Sequence, residues 1–348
     1  MTADRRLLVA VCSIALVTIL TALYLASPVF APAAFALFII AVVWPLQSRL
    51  QSRLPRLLAL AVVVLVTVGV LVAFVLLVAW SFARVGRWVV GDAAQFQFFY
   101  DEVKTWLDGH GIAVAALWAE HFNVSWLVRA VQEITKRVNT TMSFSLIVFV
   151  YVLLGLLEVG DAGRKIRAMD NRTVARVLLD GSVATAAKLR RYLLVRTMMS
   201  VTTGVLVWGF ATLAGLPLAA EWGVIAFALN YIPFIGPLIA TMFPTLFALS
   251  QFSSWQAVLT VFVCLNIIQF VVGFYIEPRV SGSALAVSPF VVLFAVFFWT
   301  FLWGLFGAFI GVPITIALLS FCAQHPSSRW LADLLGTPAT GPAAEDPL

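Results

Sequence analysis

Residues 229–244 read LNYIPFIGPLIATMFP. The stretch lies inside a long apolar run, yet it carries Pro233, Gly236, Pro237 and Pro244. Proline removes a backbone donor and disrupts the helical hydrogen bond to the carbonyl four residues earlier. A carbonyl freed in this way cannot face lipid, where an unsatisfied polar group costs several kcal/mol. Such backbone survives at depth only when it is buried in protein or lines a wet cavity. The run is therefore read as a broken membrane segment whose break is the working part, with Asn230 and Tyr231 beside it to offer polar groups.

The rest of the chain agrees with a membrane setting. Of 348 residues, 62% are hydrophobic and 11% charged, and the mean hydropathy is +1.03. Soluble domains carry roughly 45–50% apolar and about 25% charged residues, so a soluble fold could not hide this much apolar surface. The apolar runs are continuous rather than alternating, which points to helices and not to a β-barrel. The sequence class is an all-α integral membrane protein. The net charge of +6 is read as the basic residues of cytoplasmic loops, and no nucleic-acid partner is expected. Cys12, Cys264 and Cys322 are far apart in apolar runs. They have no metal spacing and suggest packing roles; no metal and no cofactor are expected.

A bilayer core about 30 Å thick needs about 20 apolar helical residues. Eight stretches qualify: 7–26, 29–46, 57–82, 142–158, 197–216, 222–250, 255–276 and 289–321. The first is read as a retained helix and not a signal peptide, because a second apolar segment comes directly after it. The sixth and eighth are too long for one straight span, so the C-terminal segments are expected to be broken or re-entrant. Arg5 and Arg6, then Arg49, Arg53 and Arg56, then the run from Arg164 to Arg196 all fall on one side if the spans alternate. That side is the cytoplasm, and both termini are expected there, in a multi-pass protein of the inner (plasma) membrane. The resulting organisation is helices 1–3 over 1–83, an extracytoplasmic amphipathic region over 84–141 and helix 4 over 142–160. Next come a basic cytoplasmic helix over 161–196, a transport core over 197–321 and a tail over 322–348 with a disordered end.

The outer region carries two helical stripes, Phe96, Phe99, Val103 and Trp106, and then Trp126, Ala130, Ile134 and Val138 after the candidate N-cap Ser125. Within the transport core, Asn266, Gln269, Gly273 and Glu277 stand three, four and four apart, on one helix face. Two readings stand: helix–helix hydrogen bonding, or the lining of a polar solute path. From 197 to 328 the charged residues are Glu221, Glu277 and Arg279. Glu221 precedes Trp222 at a helix start, where the helix dipole favours a carboxylate. Glu277 and Arg279 flank Pro278 and either pair at the interface or gate and couple a pathway. The last segment repeats the interruption as Phe309-Ile310-Gly311-Val312-Pro313, which makes Gly311 and Pro313 candidate hinges. Paired Gly/Pro breaks of this kind point to a transporter site. The pathway candidates are Asn230, Tyr231, Pro233, Gly236, Pro237, Asn266, Gln269 and Gly273.

No histidine falls in an expected span, and HExxH, Walker A and GxSxG patterns are missing from the sequence. An enzyme is not expected, and the expected driving force is an ion or proton gradient. Three pieces, NYIPFIGPLIA at 230–240, IEPRVSG at 276–282 and FWTFLWGLFGAFIGVPITIAL at 298–318, resemble the AI-2E family of membrane transporters. The chain departs from that pattern at Ser281 and Ser283. The resemblance implies an eight-span protein that assembles as a homo-oligomer, a pentamer. It implies export of autoinducer-2, a small polar quorum-sensing signal, in some members and sodium (or lithium)/proton antiport in others. By that resemblance Asn230, Pro233, Gly236, Pro237, Glu277, Pro278, Arg279, Gly311 and Pro313 carry the family pattern. The first reading is a gradient-driven exporter of a small polar solute, autoinducer-2 leading. The alternatives are a cation/proton antiporter titrating at Glu277 and a non-transporting membrane scaffold.

Overall fold

The structure is a computed structural model and describes residues 3–91, 124–252, 254–281 and 287–336. These residues are helical almost throughout. In chain order the elements are α1 (Ala3–Leu25), α2 (Ser27–Gln51), α3 (Arg56–Gly91), α4 (Val124–Arg167), α5 (Arg172–Leu213), α6 (Ala219–Leu229) and α7 (Ile235–Gln251). Then come α8 (Trp255–Phe270), a π-helical segment (Val271–Ile276), α9 (Glu277–Ser281), α10 (Pro289–Cys322) and α11 (Arg329–Leu335). The stripe expected at 96–106 lies outside the described residues, as does the tail beyond 336. The second stripe falls within α4, which is one helix from Val124 and places Ser125 inside its first turn. The basic run and the fifth span likewise form one helix, α5, of 42 residues.

The chain divides into two compact units. One holds the described residues of Leu65–Ser143 and Leu193–Gly282. Here the long segment 222–250 is two helices, α6 of 11 residues and α7 of 17. At 1.5 Å per residue they measure roughly 17 and 26 Å, each less than the bilayer core. They are antiparallel. Trp222 at the start of α6 and Phe247 near the end of α7 meet with ring centroids 5.2 Å apart, and Trp88 of α3 packs on Phe247 at 3.9 Å. The segment is therefore a hairpin, entering and leaving by one face, with its tip at 230–234. Gly236 makes the reversal feasible, because a Cβ there would stand 1.9 Å from the Leu229 carbonyl oxygen. The base is fixed by Glu221, whose side chain is 4% exposed and whose carboxylate lies 2.9 Å from Arg84 on α3. The first-turn carboxylate thus meets both the helix dipole and a cation.

The other unit holds the described residues of Met1–Val64, Phe144–Tyr192 and Ser283–Leu348. Its long segment, α10, is also a hairpin. Gly304 leaves the helical region at φ 61°, ψ −144°, a conformation glycine adopts without a Cβ penalty. Past it the chain returns: a Cβ on Gly307 would lie 1.8 Å from the Trp299 carbonyl, and one on Gly311 2.9 Å from the Ala295 carbonyl. The sequence expectation places a hinge at Gly311 and Pro313. Both sit inside the returning leg; Gly311 serves close packing, and the reversal falls at Gly304, which no proline marks. The tip is pinned where Trp303 Nε1 donates to the Leu23 carbonyl of α1 at 3.1 Å. Phe306 stacks on Phe144, with Phe35 edge-on to both.

The same unit shows how an internal proline is accommodated. Pro45 in α2 frees the Ala41 carbonyl, and Arg190 of α5 donates to that oxygen at 3.0 Å. Gln47, fully buried, donates to the Leu156 carbonyl of α4 at 3.2 Å.

The hairpins predict a labelling pattern and a stability difference. In a cysteine-free protein, Ala220→Cys and Gln256→Cys label from one side of the membrane, and Phe290→Cys and His325→Cys label from one side; a straight span through either segment would separate the members of that pair. Gly307→Ala lowers stability by about 3 kcal/mol. Gly209→Ala, where the added Cβ meets nothing within 4 Å, changes stability by no more than about 1 kcal/mol. Thermal unfolding in detergent reads both.

Candidate functional site

The tip of the 222–250 hairpin lies against α5. The two helices meet at glycines: a Cβ on Gly204 would lie 2.9 Å from the Gly223 carbonyl, and one on Gly223 2.8 Å from the Gly204 carbonyl. Small residues let backbones approach in this way. Along the same stretch α5 presents Arg196 and the adjacent Thr197, then Ser200 and Thr203 at spacings of about one helical turn. Asn230 is 5% exposed, and its Nδ2 donates to Ser200 Oγ at 3.5 Å. Tyr231 Oη donates to Thr197 Oγ1 at 3.0 Å. Phe74 of α3 sits edge-on to Tyr231 and Phe227.

The tip satisfies much of its own backbone. Leu229 O accepts from Ile232 N at 2.9 Å, and Ile232 O from Gly236 N at 3.0 Å. Ile235 N donates back to Pro233 O at 2.7 Å around Phe234, which stands at φ 63°, ψ −54°. This is the rare, strained γ-turn of positive φ. Strain of about 1–3 kcal/mol at a non-glycine residue persists only where its surroundings over-determine it. Pro233 and Pro237 flank this turn.

The polar stripe expected along 266–277 does not hold together. Asn266 is exposed and bonds back to the Phe262 carbonyl at 2.8 Å. Gln269 is half-buried, and its Nε2 is buried without a hydrogen-bond partner. A Cβ added at Gly273 would meet nothing within 4 Å. Glu277 leaves the stripe because of the π-helical segment, where its N–H donates to the Val272 carbonyl five residues earlier. One extra residue in a turn rotates the residues after it by about 100° from the α-helical register. Glu277 is thereby turned to Arg196 of α5, with Nη1 3.3 Å from each carboxylate oxygen. Arg279 instead lies over the Tyr275 ring at 3.4 Å, and Pro278 is exposed in α9. Eight alternating spans would put Glu277 at the face opposite Arg196; the pair requires the hairpin.

The α5 residues lie outside the sequence candidates. A signal is present: Arg196, Ser200 and Thr203 recur at four and three within an apolar helix, the spacing of a single face. Thr203 is fully buried, and its hydroxyl has no hydrogen-bond partner, a state that costs about 1–3 kcal/mol.

A family model for AI-2E family transporters matches residues 14–326, which takes in both hairpins and the ion pair. The chain belongs to the AI-2E transporter family. It is a multi-pass membrane transporter, and the AI-2E match agrees with the six helices among the described residues that are long and apolar enough to cross a membrane. The "AI-2 transport protein TqsA" of Escherichia coli strain K12 is 27% identical over 325 residues, covering 92% of this chain and 93% of that protein. The "Putative transport protein YhhT" of the same strain is also 27% identical, over 326 residues and 92% of each chain. A "Putative transport protein" of Borreliella burgdorferi is 35% identical over 127 residues, 36% of this chain and 35% of that protein.

The Arg196–Glu277 pair can be tested on its own. Each side chain is mostly buried, 12% and 26% exposed, so removing one partner strands the other. Arg196→Ala and Glu277→Gln each lower stability by about 1–3 kcal/mol. The double variant loses less than their sum, because the two share one interaction. Deleting one residue from the π-helical segment restores the α-helical register and reproduces the loss seen in Glu277→Gln. Thermal unfolding of the set decides it.

Proposed function

We propose that this transporter exports a small, polar, uncharged organic solute down or against a gradient, with autoinducer-2 the leading candidate. The observation that carries the reading is the chemistry at the hairpin tip. Asn230, Tyr231, Thr197, Ser200 and Thr203 supply amide and hydroxyl groups without net charge. The charged groups nearby cancel as the Arg196–Glu277 pair. Such a site suits a hydroxylated solute better than an ion. The name of the relative TqsA supports the same substrate. Cation/proton antiport asks for a carboxylate that exchanges protons and metal. Glu221 and Glu277, the two deep carboxylates among the described residues of this unit, are each held by an arginine.

The membrane arrangement we propose has cytoplasmic termini in the plasma membrane. Counting crossings from Arg5 and Arg6, with the segment 222–250 as a hairpin, puts the base of that hairpin outside. It puts Arg196 and Glu277 toward the cytoplasmic side, and the hairpin tip reaches down to that level. Alternation of the hairpin tip between its contact with α5 and an open position would pass the solute.

Flux in proteoliposomes tests the reading. Autoinducer-2 efflux is expected from the wild-type protein, faster with an imposed proton gradient. Asn230→Leu loses the efflux while folding and assembly are kept, and Glu277→Gln, which unpairs Arg196, slows it. Sodium-triggered proton movement without autoinducer-2 efflux would replace export by antiport.

A further inference from the structure

Among the described residues of the unit that holds the hairpin tip, and unlike Arg196 Nε and Glu221 Oε1, whose side chains are held in salt bridges, Thr203 Oγ1 and Gln269 Nε2 are buried without a hydrogen-bond partner and belong to no ion pair. They sit on different helices, 66 positions apart in sequence, so neither position suggests the other. The ion pair puts them at one level. Arg196 and Glu277 touch, and from that contact α5 runs away toward Thr203 while α8 arrives past Gln269. Thr203 is seven residues beyond Arg196, and Gln269 is eight before Glu277. At the helical rise these are about 10 and about 12 Å along antiparallel helices. One further turn along each helix stand Val207 and Leu265, both 1% exposed and in the same core cluster. By this count the two unpartnered groups fall at about the same level along the two helices, one turn before the buried Val207 and Leu265. One turn back along α5, Ser200 holds the hairpin tip through Asn230, at a distance of 3.5 Å.

A buried polar group without a partner is exceptional in a folded protein. Two at one level, next to a strained tip, are a place prepared for a third party. We propose that Thr203 and Gln269, with Asn230 above the tip turn, form the solute-binding subsite of the transport pathway. The chemistry selects the ligand class. An amide N–H seeks an acceptor oxygen and repels a metal cation; a hydroxyl takes either a donor or an acceptor. The ligand is a small neutral compound that carries carbonyl and hydroxyl groups within one short carbon frame. Its oxygens complete Gln269 and Thr203, and its remaining polar edge replaces the long Asn230–Ser200 contact, which frees the tip to move. Asn266 takes no part, since its amide is bonded back to its own helix. The subsite rests on the export reading and narrows it.

The test compares wild type with Thr203→Val and Gln269→Met, which keep volume and remove the polar atom. In proteoliposomes with autoinducer-2, each variant raises KM about tenfold with the maximal rate within about twofold, the signature of lost binding. The melting temperature of the solute-free variants stays level or rises, because no partner is orphaned. A structural role would do the reverse: a lower melting temperature with KM unchanged. That result overturns the subsite. If wild type gives no autoinducer-2 flux, the export of that signal fails and the subsite is read differently. Thr203→Cys in a cysteine-free protein is then treated with a small methanethiosulfonate, with and without erythritol or ribose. Labelling that such a neutral solute slows supports the subsite. A cysteine that stays unlabelled, or one that neither solute protects, overturns it.

Discussion

A chain that reverses direction inside a bilayer must satisfy its own backbone, because no water is there to do it. Both hairpins of this protein are answers to that constraint, and each depends on a glycine whose Cβ would fall within 2 Å of the opposite leg's carbonyl, Gly236 against Leu229 and Gly307 against Trp299. The close approach keeps each reversal short. In the 222–250 hairpin it also lets turn hydrogen bonds at the tip close on themselves. The polar groups that the tip presents to α5 are then the side chains of Asn230 and Tyr231.

Charge is handled with the same economy. Glu221 and Glu277 are costly at depth unless paired, and each has an arginine from a helix distant in sequence, Arg84 and Arg196. The first pair holds the hairpin base to α3. The second joins α5 to the end of α8 and needs the π-helical segment to do so. π turns lodged in α-helices occur often at functional sites. Here the physical reason is visible: without the extra residue Glu277 would stand on the face of Gly273, which is open.

Membership of the AI-2E family and the transport activity that comes with it draw the two hairpins, the polar face of α5 and the ion pair into one account. In the proposed mechanism the broken segment supplies the part that moves, the clamp at its base the fixed end, and the strained turn at Phe234 a conformation that the surroundings hold in place. The aromatic richness of the chain is largely a packing matter in this account. Phe35, Phe144 and Phe306 lock the second hairpin, while Trp88, Trp222 and Phe247 lock the base of the first.

The all-helical membrane class is legible in the sequence because hydropathy over twenty residues is a local property, and so is the rigidity of proline. The break at 233–237 can be read for that reason, with its polar neighbours Asn230 and Tyr231. Glycine alone is a weaker signal, so the reversal at Gly304 is hidden behind the proline-marked Gly311 and Pro313. The sequence by itself determined which segments enter the bilayer and that two of them are broken. Only the tertiary structure decided that they fold back, that Glu277 meets a residue 81 positions away, and that Thr203 Oγ1 and Gln269 Nε2 are buried without a hydrogen-bond partner. Those outcomes depend on helix rotation and on contacts between remote segments. A one-residue π insertion turns a whole face, and nothing in the local pattern of residues records it.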